Sequence, residues 1–484
     1  MNLNITTISA INSSTGLSYK DIYFTTDTSE KKFWKIDPYD TTSINDGVTV
    51  LNSSDTPAKR FKPYVQDYVN AKWFGTKGDG VTDDKVAIQA AVDFAILYHM
   101  GEILFPAGTY NVSNTIEIPI TNFVTDGAIT IKGVGKKSTI FQGITSNFNF
   151  SNTLDFFGEA EPVGFYIPNL LSPPPPDTWP IFHVKADPTL NSYVSFEHLS
   201  VRGNNFFKKG WYTFKSEKPK VNYYWLDQSI YELTGIKLEL TAIFHLEDVE
   251  IINCHKCLHC IGALVFNINN FVIGGAYGGS ESYCGIYTEH GTFSVYNIYS
   301  NAITLTNGRI TYCAHKGIDF GQGSLLTIRS VDFEQNGSLI NNEQGNPIGD
   351  IYTGAVFIRN DVNQEQTVAL INIYDCWFEA NKGYTFYTVP EQNTILNFYG
   401  SHFNAGGGYT QYQALGVSLD IRGGSNSDVK NIKINGCNSL LTNFIINANH
   451  SVIISSNGIP TEPDILHIPK IFSNDSINSE HLGM

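Results

Sequence analysis

The chain has 484 residues, a formal net charge of −15 and only 16% charged residues, together with 42 glycines, 26 tyrosines and 31 phenylalanines. The negative charge argues against nucleic acid and anionic membranes as partners, and no apolar run reaches the roughly 18 residues of a membrane-spanning helix. The first twenty residues show neither a basic start nor an unbroken apolar run, so no signal peptide is expected. The composition favours a β-rich, turn-rich protein that acts on neutral or sugar-like ligands.

Residues 1–62 differ from the rest of the chain in composition. They are rich in Ser, Thr and Asp, with short apolar runs at Ile22–Phe24 and Val48–Leu51. This pattern predicts either a small β module or an extended N-terminal arm.

Residues 63–125 are predicted to hold a capping helix and the first strands. Gly78, Asp79 and Gly80 form a turn, and Thr82 or Asp83 is placed to cap a helix that ends near Gly101. One face of this helix is expected to consist of Val86, Ala90, Ala91, Phe94 and Tyr98. Such a helix would cover the end of a strand stack, whose unpaired edge would otherwise recruit other chains.

Two segments interrupt the strand pattern that follows. Residues 148–180 include Pro173–Pro176, which cannot occupy an inner strand. Residues 206–225 carry eight aromatic residues and several lysines, a composition that suits sugar stacking or a subunit interface. Both segments are predicted to be insertions outside the main body.

One nine-residue phrase recurs through the second half of the chain. Its copies begin at Phe196, Leu246, Ile268, Leu305, Ile328, Ile373, Phe398 and Val429. The first and sixth positions are apolar, the fifth and seventh are mostly polar, and the ninth is small or Asn. This is a strand that alternates with period two and ends in a tight corner.

The spacing of the phrase predicts the architecture. From Leu246 onward the starts are 22, 37, 23, 45, 25 and 31 residues apart. A period in the low twenties built from short strands indicates a solenoid, with the longer intervals explained by loops such as 337–350. We therefore expect an all-β protein, a right-handed parallel β-helix over residues 126–455, with a C-terminal tail at 456–484. In this coil each phrase position stacks on its copies at about 4.8 Å.

The seven cysteines are expected to be reduced core residues. At least three fall at the ninth position of the phrase, which predicts an inward ladder and not a disulfide framework. The segment Cys254–Cys260 holds three Cys and two His, a density typical of metal ligands. Because Cys254 lies on the ladder and no second pair is found, core packing is favoured and no metal or other cofactor is expected.

The opening of the solenoid resembles a known family. WFGTKGDGVTDD at 73–84, a short helix and ILFPAGTY at 103–110 are similar to the start of pectate-lyase-like right-handed β-helix proteins. That family includes polysaccharide hydrolases and lyases and the tailspike depolymerases of bacterial viruses. The motif covers about forty residues and is more specific for the fold than for the reaction. Residues 47–75 also look like the link by which viral tailspikes join a head-binding piece to the helix.

The resemblance implies a function and a setting. It implies a homotrimer that binds and cleaves a bacterial surface polysaccharide, either capsule or O-antigen. It also implies a location on a virion tail, with the N-terminus attached to a tail component, and release by host lysis. The aspartates of GDGVTDD are expected to be structural.

The outward positions of the phrase supply candidate catalytic residues. If the sixth position points inward, the fifth and seventh point outward on one wall, and Glu334 and Glu379 become neighbours when their rungs are consecutive. Asp332 lies on the same face, roughly 7 Å from Glu334 along the strand. Two stacked carboxylates do not ionise equally easily, so one can hold a proton for glycoside hydrolysis, by either the retaining or the inverting route. The candidates that could bind sugar around them are Arg309, Arg329, Tyr374, Trp377 and His402.

Other interpretations remain open. The acidic run Glu247, Asp248 and Glu250 is a second candidate site, and Asp319, expected outward on the second strand of its rung, is a third. An outward Glu of the phrase is otherwise a solvated or ion-paired surface residue. A lyase acting on a uronate-containing polymer is the second choice of reaction, because Arg, Tyr and His side chains could remove a C5 proton. A non-catalytic carbohydrate-binding spike is the remaining class.

Overall fold

A computed structural model describes residues 3–455. Its gaps lie at 27–31, 47–49, 65–67, 121–127, 145–178, 188–191, 204–207, 212–221, 226–232, 276–281, 295, 322, 338–353, 360–369, 380, 382–383, 389–394, 405–416, 423–430, 436–437, 441–442 and 448–451. The insertion expected at 337–350 and the tail expected at 456–484 lie outside the described residues, except for Gly337. No helix in the described part of the chain is long and apolar enough to cross a membrane.

The N-terminal residues form a small sheet with one helix. Its elements are β1 (Leu3–Thr6), α1 (Ile8–Ser13), β2 (Ile22–Thr25), β3 (Lys32–Asp37), β4 (Leu51–Asn52) and β5 (Arg60–Pro63). The strand order is β1-β2-β3-β5-β4, with β1 parallel to β2 and the other pairs antiparallel. Trp34 and Phe61 are fully buried in a core of this module. Phe24, on the same sheet, packs edge-on against Phe94 of the following helix at 4.9 Å.

A helix then covers the end of the strand stack. The elements are β6 (Val69–Asn70), a 3-10 helix (Ala71–Phe74), β7 (Asp79–Asp83), α2 (Lys85–Tyr98), β8 (Glu102–Leu104), β9 (Gly108–Val112) and β10 (Ile116–Pro119). Ile88, Val92 and Ala95 of α2 are fully buried in the main core. Their burial removes the apolar end of the stack from water, which is the physical role predicted for this helix.

The start and buried face of α2 differ from the prediction. The N-cap is Asp84 rather than Thr82 or Asp83, and its carboxylate accepts hydrogen bonds from the backbone N–H groups of Lys77 and Gly78. Val86 is 76% exposed and Ala90 is also exposed, so neither faces the core as expected. The buried face of the helix instead consists of Ile88, Ala91, Val92, Phe94, Ala95 and Ile96. Asp84 thus ties the preceding turn to the helix, a structural role.

The main body consists of two long parallel sheets. Its strands are β11 (Ala128–Lys132), β12 (Thr139–Gly143), β13 (Trp179–Lys185), β14 (Tyr193–Arg202), β15 (Lys208–Trp211), β16 (Asn222–Trp225), β17 (Leu233–Glu239), β18 (Ile243–Ile252), β19 (Lys256–Ile261), β20 (Val265–Gly274), β21 (Ser282–Glu289), β22 (Gly291–Phe293), β23 (Tyr296–Ile298), β24 (Ser300–Thr311), β25 (Cys313–Gly321), β26 (Gly323–Glu334), β27 (Gly354–Arg359), β28 (Leu370–Tyr374), β29 (Trp377–Glu379), β30 (Tyr384–Thr388), β31 (Ile395–Tyr399), β32 (His402–Asn404), β33 (Val417–Arg422), β34 (Asn431–Asn435), β35 (Asn438–Leu440), β36 (Asn443–Asn447) and β37 (Val452–Ser455). Among the described residues one sheet has 18 strands and the other has 10. The fold is a right-handed parallel β-helix with a capping helix, as predicted.

The core consists of stacked columns of identical phrase positions. The first position is buried from Phe196 to Phe398, and the sixth is buried from Val201 to Phe378. Phe333 and Phe378 stack directly, with ring centroids 4.8 Å apart and planes 6° apart. This contact spacing is the strand spacing of the coil, so one register runs through the whole stack.

The third position of the phrase bends every strand. Residues with left-handed backbone occupy it in seven successive rungs: His198, Asp248, Asn270, Asn307, Ser330, Asp375 and Gly400. Because of this bend the first and fourth positions both point inward, as Ile328 and Val331 show. His, Asp, Asn and Gly tolerate this conformation better than most residues, so the bend was readable from the sequence but was not anticipated.

The ninth position forms an inner ladder at the next corner. Asn336 is fully buried and donates through Nδ2 to the carbonyls of Ile310 and, at 2.9 Å, of the Asn381 side chain. Its Oδ1 accepts from the backbone N–H of Cys313. The amide thereby satisfies backbone groups that the corner leaves unpaired.

The cysteines were expected to be reduced core residues. The six cysteines in the described part of the chain are buried, and no two of them form a disulfide. Cys254, Cys257 and Cys260 lie in the main core, which confirms the core packing predicted for them.

The expected insertion 148–180 is too long by two residues, because Trp179 and Pro180 already pair with β17. Within 206–225 the structure has the antiparallel pair β15 and β16.

Candidate functional site

Three columns of outward side chains lie on one region of the large sheet. The fifth-position column runs Arg309, Asp332, Trp377 and His402, each the Cα partner of the next. The seventh-position column contains Thr311, Glu334 and Glu379. Across the bend, the second-position column contains Arg329, Tyr374 and Tyr399. All eight predicted site residues therefore lie on four consecutive rungs.

The predicted adjacency of the two glutamates is confirmed. Strand β26 pairs with β29, and Glu334 is the Cα partner of Glu379. In the second sheet β27 lies between β25 and β30, so no rung separates the two glutamates. Both side chains are partly exposed. Two carboxylates consequently stand one strand spacing apart at the surface of the coil.

Asp332 has the most perturbed environment of the three acids. Its Oδ2 lies 3.0 Å from Nε of Arg309, while Oδ1 is buried without a hydrogen-bond partner. Burial raises the pKa of the Asp332 carboxyl; the Arg309 charge and hydrogen bond oppose this, and the charge of Glu379 adds to it. A carboxyl with a raised pKa beside another carboxylate can hold and deliver a proton.

Trp377 joins the aromatic and acidic parts of the site. Its indole is 43% exposed and stacks on the His402 ring, with centroids 4.0 Å apart and planes 19° apart. Its Nε1–H donates a hydrogen bond of 2.9 Å to Oε2 of Glu379. The exposed indole can stack on a sugar ring while its N–H holds a carboxylate in place.

A second aromatic stack lies across the bend. Tyr374 and Tyr399 stack with centroids 5.2 Å apart and planes 7° apart, and the Arg329 guanidinium lies over Tyr374 at 4.8 Å. Tyr399 was missed in the sequence, although it occupies the same phrase position as Tyr374. The stack places further aromatic and basic side chains beside the acids on the surface of the large sheet.

In the acidic run proposed as the second site, Asp248 and Glu250 are held in ion pairs, and Glu247 accepts hydrogen bonds from the Asn269 amide. Glu250, whose side chain is 4% exposed, contacts Lys137 and accepts hydrogen bonds from Ser200 and Arg202, each at 2.9 Å. Burial raises its pKa, but the bonds from Lys137 and Ser200 and the charges of Lys137 and Arg202 outweigh burial and lower it. Asp248 lies at the strand bend and is 3.0 Å from Lys136. These carboxylates hold the loop that carries Lys136 and Lys137 against the sheet.

The third candidate is buried. Asp319 lies between Ile318 and Phe320 of the core and so points away from the core as expected, but its side chain is only 8% exposed and forms a 3.0 Å ion pair with Lys316. The Lys316 ammonium in turn lies over the Phe357 ring of the next rung, at 4.8 Å. Asp319 therefore neutralises a buried lysine and offers no accessible carboxylate. The described residues contain no group of three or more His, Cys, Asp or Glu arranged to hold a metal ion.

Comparisons with known proteins place the similarity at the start of the coil. Residues 68–170 match the family model described as rhamnogalacturonase A/epimerase, pectate lyase-like. The mannuronan C5-epimerase AlgE5 of Azotobacter vinelandii is 43% identical over 82 residues, which is 16% of this chain and 8% of that protein. Alginate lyase 7 of the same organism is 42% identical over 79 residues, 15% of this chain and 8% of that protein. The chain thus matches less than a tenth of the length of these curated relatives.

Among the solved structures that are similar to this chain is the gp42 tailspike of Acinetobacter phage vb_AbaP_AS12. The alignment covers 95% of this chain and 69% of that one, with 10% identity and a TM-score of 0.49. The family match at 68–170 ends well before Arg309, so none of the candidate site residues lies within it. The protein is a right-handed parallel β-helix whose capping helix and first rungs match the pectate lyase-like family model.

Proposed function

We propose that this protein cleaves glycosidic bonds within a bacterial surface polysaccharide, capsule or O-antigen, by hydrolysis. The observation that supports this proposal is the placement of Asp332, Glu334 and Glu379 on one exposed face of two adjacent rungs. Glycoside hydrolysis requires a proton donor and a carboxylate on opposite sides of the reacting bond. The wall of aromatic and basic side chains around the acids suits a sugar chain.

Asp332 is the proton donor in this proposal. Its carboxyl is partly buried and its pKa is raised, so it retains a proton at a higher pH than an exposed aspartate does. Glu379, held by the Trp377 indole, is the ionised carboxylate that acts on the anomeric carbon or on water. Glu334 lies beside Glu379 and completes the acidic face that contacts the sugar. Arg309 anchors Asp332 and keeps its second oxygen oriented.

Substrate binding is assigned to the two aromatic stacks. Trp377 and His402 would carry one sugar ring, and Tyr374 with Arg329 would carry another across the bend. The two stacks lie on the same rungs, on either side of the bend, so a sugar chain that occupies both runs along the strand direction across the large sheet. This arrangement favours cleavage inside a chain over removal of terminal sugars.

The assay is the release of new reducing ends from purified capsules and O-antigens, with ultraviolet absorbance of unsaturated sugars recorded on the same samples. Reducing ends without new absorbance support hydrolysis. Retained activity in both Glu334→Gln and Glu379→Gln would refute the assigned site. Binding without cleavage of any polymer would indicate a carbohydrate-binding spike instead.

A lyase acting on a uronate-containing polymer is the second candidate. The similarity of a segment of this chain to mannuronan C5-epimerases and to an alginate lyase favours it, because elimination and epimerisation both begin with removal of the C5 proton. In this alternative Arg309 or Arg329 would neutralise the uronate and Tyr374 or His402 would take the proton. Reducing ends accompanied by unsaturated-sugar absorbance would select it over hydrolysis.

The assembly belongs to the same proposal. We assign the protein to the tail of a bacterial virus, as a homotrimer whose N-terminal residues attach to a tail component. The sequence link at residues 47–75, similar to that of viral tailspikes, supports this assignment. Light scattering of the purified protein should give three times the 53.7 kDa of one chain. A monomer at micromolar concentration would contradict the trimer.

A further inference from the structure

Trp377 occupies a particular place among the three acids. Its Cα partner on one side is Asp332, and on the other side it is His402. Glu379 follows two residues later on the same strand and the same face, within reach of the indole N–H. The indole therefore lies between the column that holds the proton donor and the column that holds the carboxylate.

The direction of the hydrogen bond distinguishes the two acids. An indole N–H can only donate, so the Glu379 oxygen that it meets at 2.9 Å must accept. Donation to a carboxylate oxygen stabilises the ionised form over the protonated one. Asp332 receives no such bond from Trp377, and its Oδ1 is buried without a partner.

The stacking of His402 fixes the donor. The imidazole lies flat against the indole at 4.0 Å, which restrains the ring plane and with it the direction of Nε1–H. Trp377 can in this way stack on a sugar with its exposed face while its Nε1–H donates a hydrogen bond to Glu379. The two contributions are separable, because phenylalanine retains a face but has no N–H.

We infer that Trp377 is a positioning residue that holds Glu379 in place as the carboxylate and so leaves the role of proton donor to Asp332. This inference rests on the proposed hydrolysis. It is supported by the raised pKa of Asp332, which burial causes and to which the charge on Glu379 contributes. It assigns the two carboxyls different roles through one hydrogen bond.

The test is the split between kcat and KM in Trp377→Phe. Phenylalanine keeps an aromatic face but has no N–H to hold the Glu379 carboxylate, so kcat should fall by about tenfold or more while KM changes by less than about threefold. The pH at which activity declines, which follows Asp332, should stay within the error of the wild type. Trp179→Phe, which removes an indole N–H from the other sheet, is the matched control and should keep the wild-type kcat and KM. A kcat of Trp377→Phe within the error of the wild type overturns the inference.

A second measurement does not depend on cleavage. The indole N–H resonance of Trp377, assigned from its loss in Trp377→Phe, is compared by NMR between the wild type, Glu379→Gln and Glu197→Gln. It should move in Glu379→Gln, because a hydrogen bond to a charged oxygen becomes one to a neutral amide, and should stay in place in Glu197→Gln. An unchanged resonance in Glu379→Gln overturns the inference. Absence of reducing ends from the wild type on every polysaccharide contradicts the proposed function alone, and the NMR result then decides the inference.

Discussion

Nε of Arg309 lies 3.0 Å from Oδ2 of Asp332, one rung away in the coil, while the other oxygen of Asp332 has no partner. The two residues share a phrase position and are Cα partners in β24 and β26. The ion pair fixes the carboxyl of Asp332 at the edge of the acidic face. Its second oxygen is buried without a partner, and burial is the main cause of the raised pKa of this carboxyl.

Substitution of either glutamate should abolish cleavage without unfolding the protein. Glu334→Gln and Glu379→Gln remove a charge that contacts the reacting sugar, and each should lower kcat by about 10²–10⁴-fold. Both side chains are partly exposed at the surface, so the thermal midpoint should stay within a few degrees of the wild type. Release of reducing ends and a thermal melt measure the two effects.

The control for this pair is Glu197→Gln. Glu197 also points outward on the large sheet but lies in β14, several rungs from the acids. It should keep wild-type kcat. Full activity in Glu334→Gln and Glu379→Gln together would remove these residues from the mechanism.

Arg309 should set the pH at which activity declines. A proton donor works only while protonated, so activity falls as pH rises through the pKa of Asp332. The Arg309 charge and hydrogen bond lower this pKa against the effect of burial. Arg309→Gln removes the lowering effect, and the descending limb of kcat/KM should move upward by about one pH unit.

The pH dependence of stability, compared between the wild type and Arg309→Gln, is an independent check on the direction of this shift. Because the folded-state pKa of Asp332 is raised, its contribution to stability is full below the unfolded value and is lost as pH rises through the folded value. The loss should shift to higher pH in Arg309→Gln. Lys132→Gln breaks a surface pair with Glu102 in the first rungs and should leave the activity profile unchanged. A descending limb that stays in place, or moves to lower pH, would show that Asp332 is not the donor.

Sequence alone predicted the register of the site but not its electrostatics. Strict alternation from the fifth to the seventh position placed Asp332, Glu334 and Glu379 on one face, because strand periodicity is a local property. The burial of Asp319 depends on Lys316 and on Phe357 of the next rung, so no local pattern revealed it. The same holds for Glu250, whose partners come from a loop, Lys137, and from another strand, Arg202. Contacts between rungs therefore determine which acid has a shifted pKa. The sequence repeat determines which acids are adjacent.

Glu250 should affect stability rather than chemistry. Glu250→Gln leaves Arg202 and Lys137 without their carboxylate in a site where Glu250 is only 4% exposed, and should cost about 2–4 kcal/mol. The pKa of Glu250 is lowered in spite of burial, so the contribution of the charge exists above the ordinary pKa of Glu and is lost as pH falls through the lowered value. The difference in free energy of unfolding between wild type and variant should therefore shrink in acid. Unchanged melting at neutral pH would contradict the structural role, and loss of kcat with normal melting would restore Glu250 as a catalytic candidate.

Asn336 should be the most costly polar residue of the inner ladder to remove. Asn336→Ala removes the hydrogen bonds of the amide to the Ile310 carbonyl and to the Cys313 N–H inside a fully buried corner, where each lost bond costs roughly 1–3 kcal/mol. We expect a total loss of about 2–4 kcal/mol, measured by urea unfolding at neutral pH. Asn301→Ala is the matched control, because Asn301 is exposed at the start of β24 and should change stability by less than about 0.5 kcal/mol. Because Asn336 also bonds Asn381 of the next rung, the loss should reach the rung that carries Glu379 and lower activity at elevated temperature before it does so at low temperature. Equal stability of the two alanine variants would show that solvent replaces the amide at this corner.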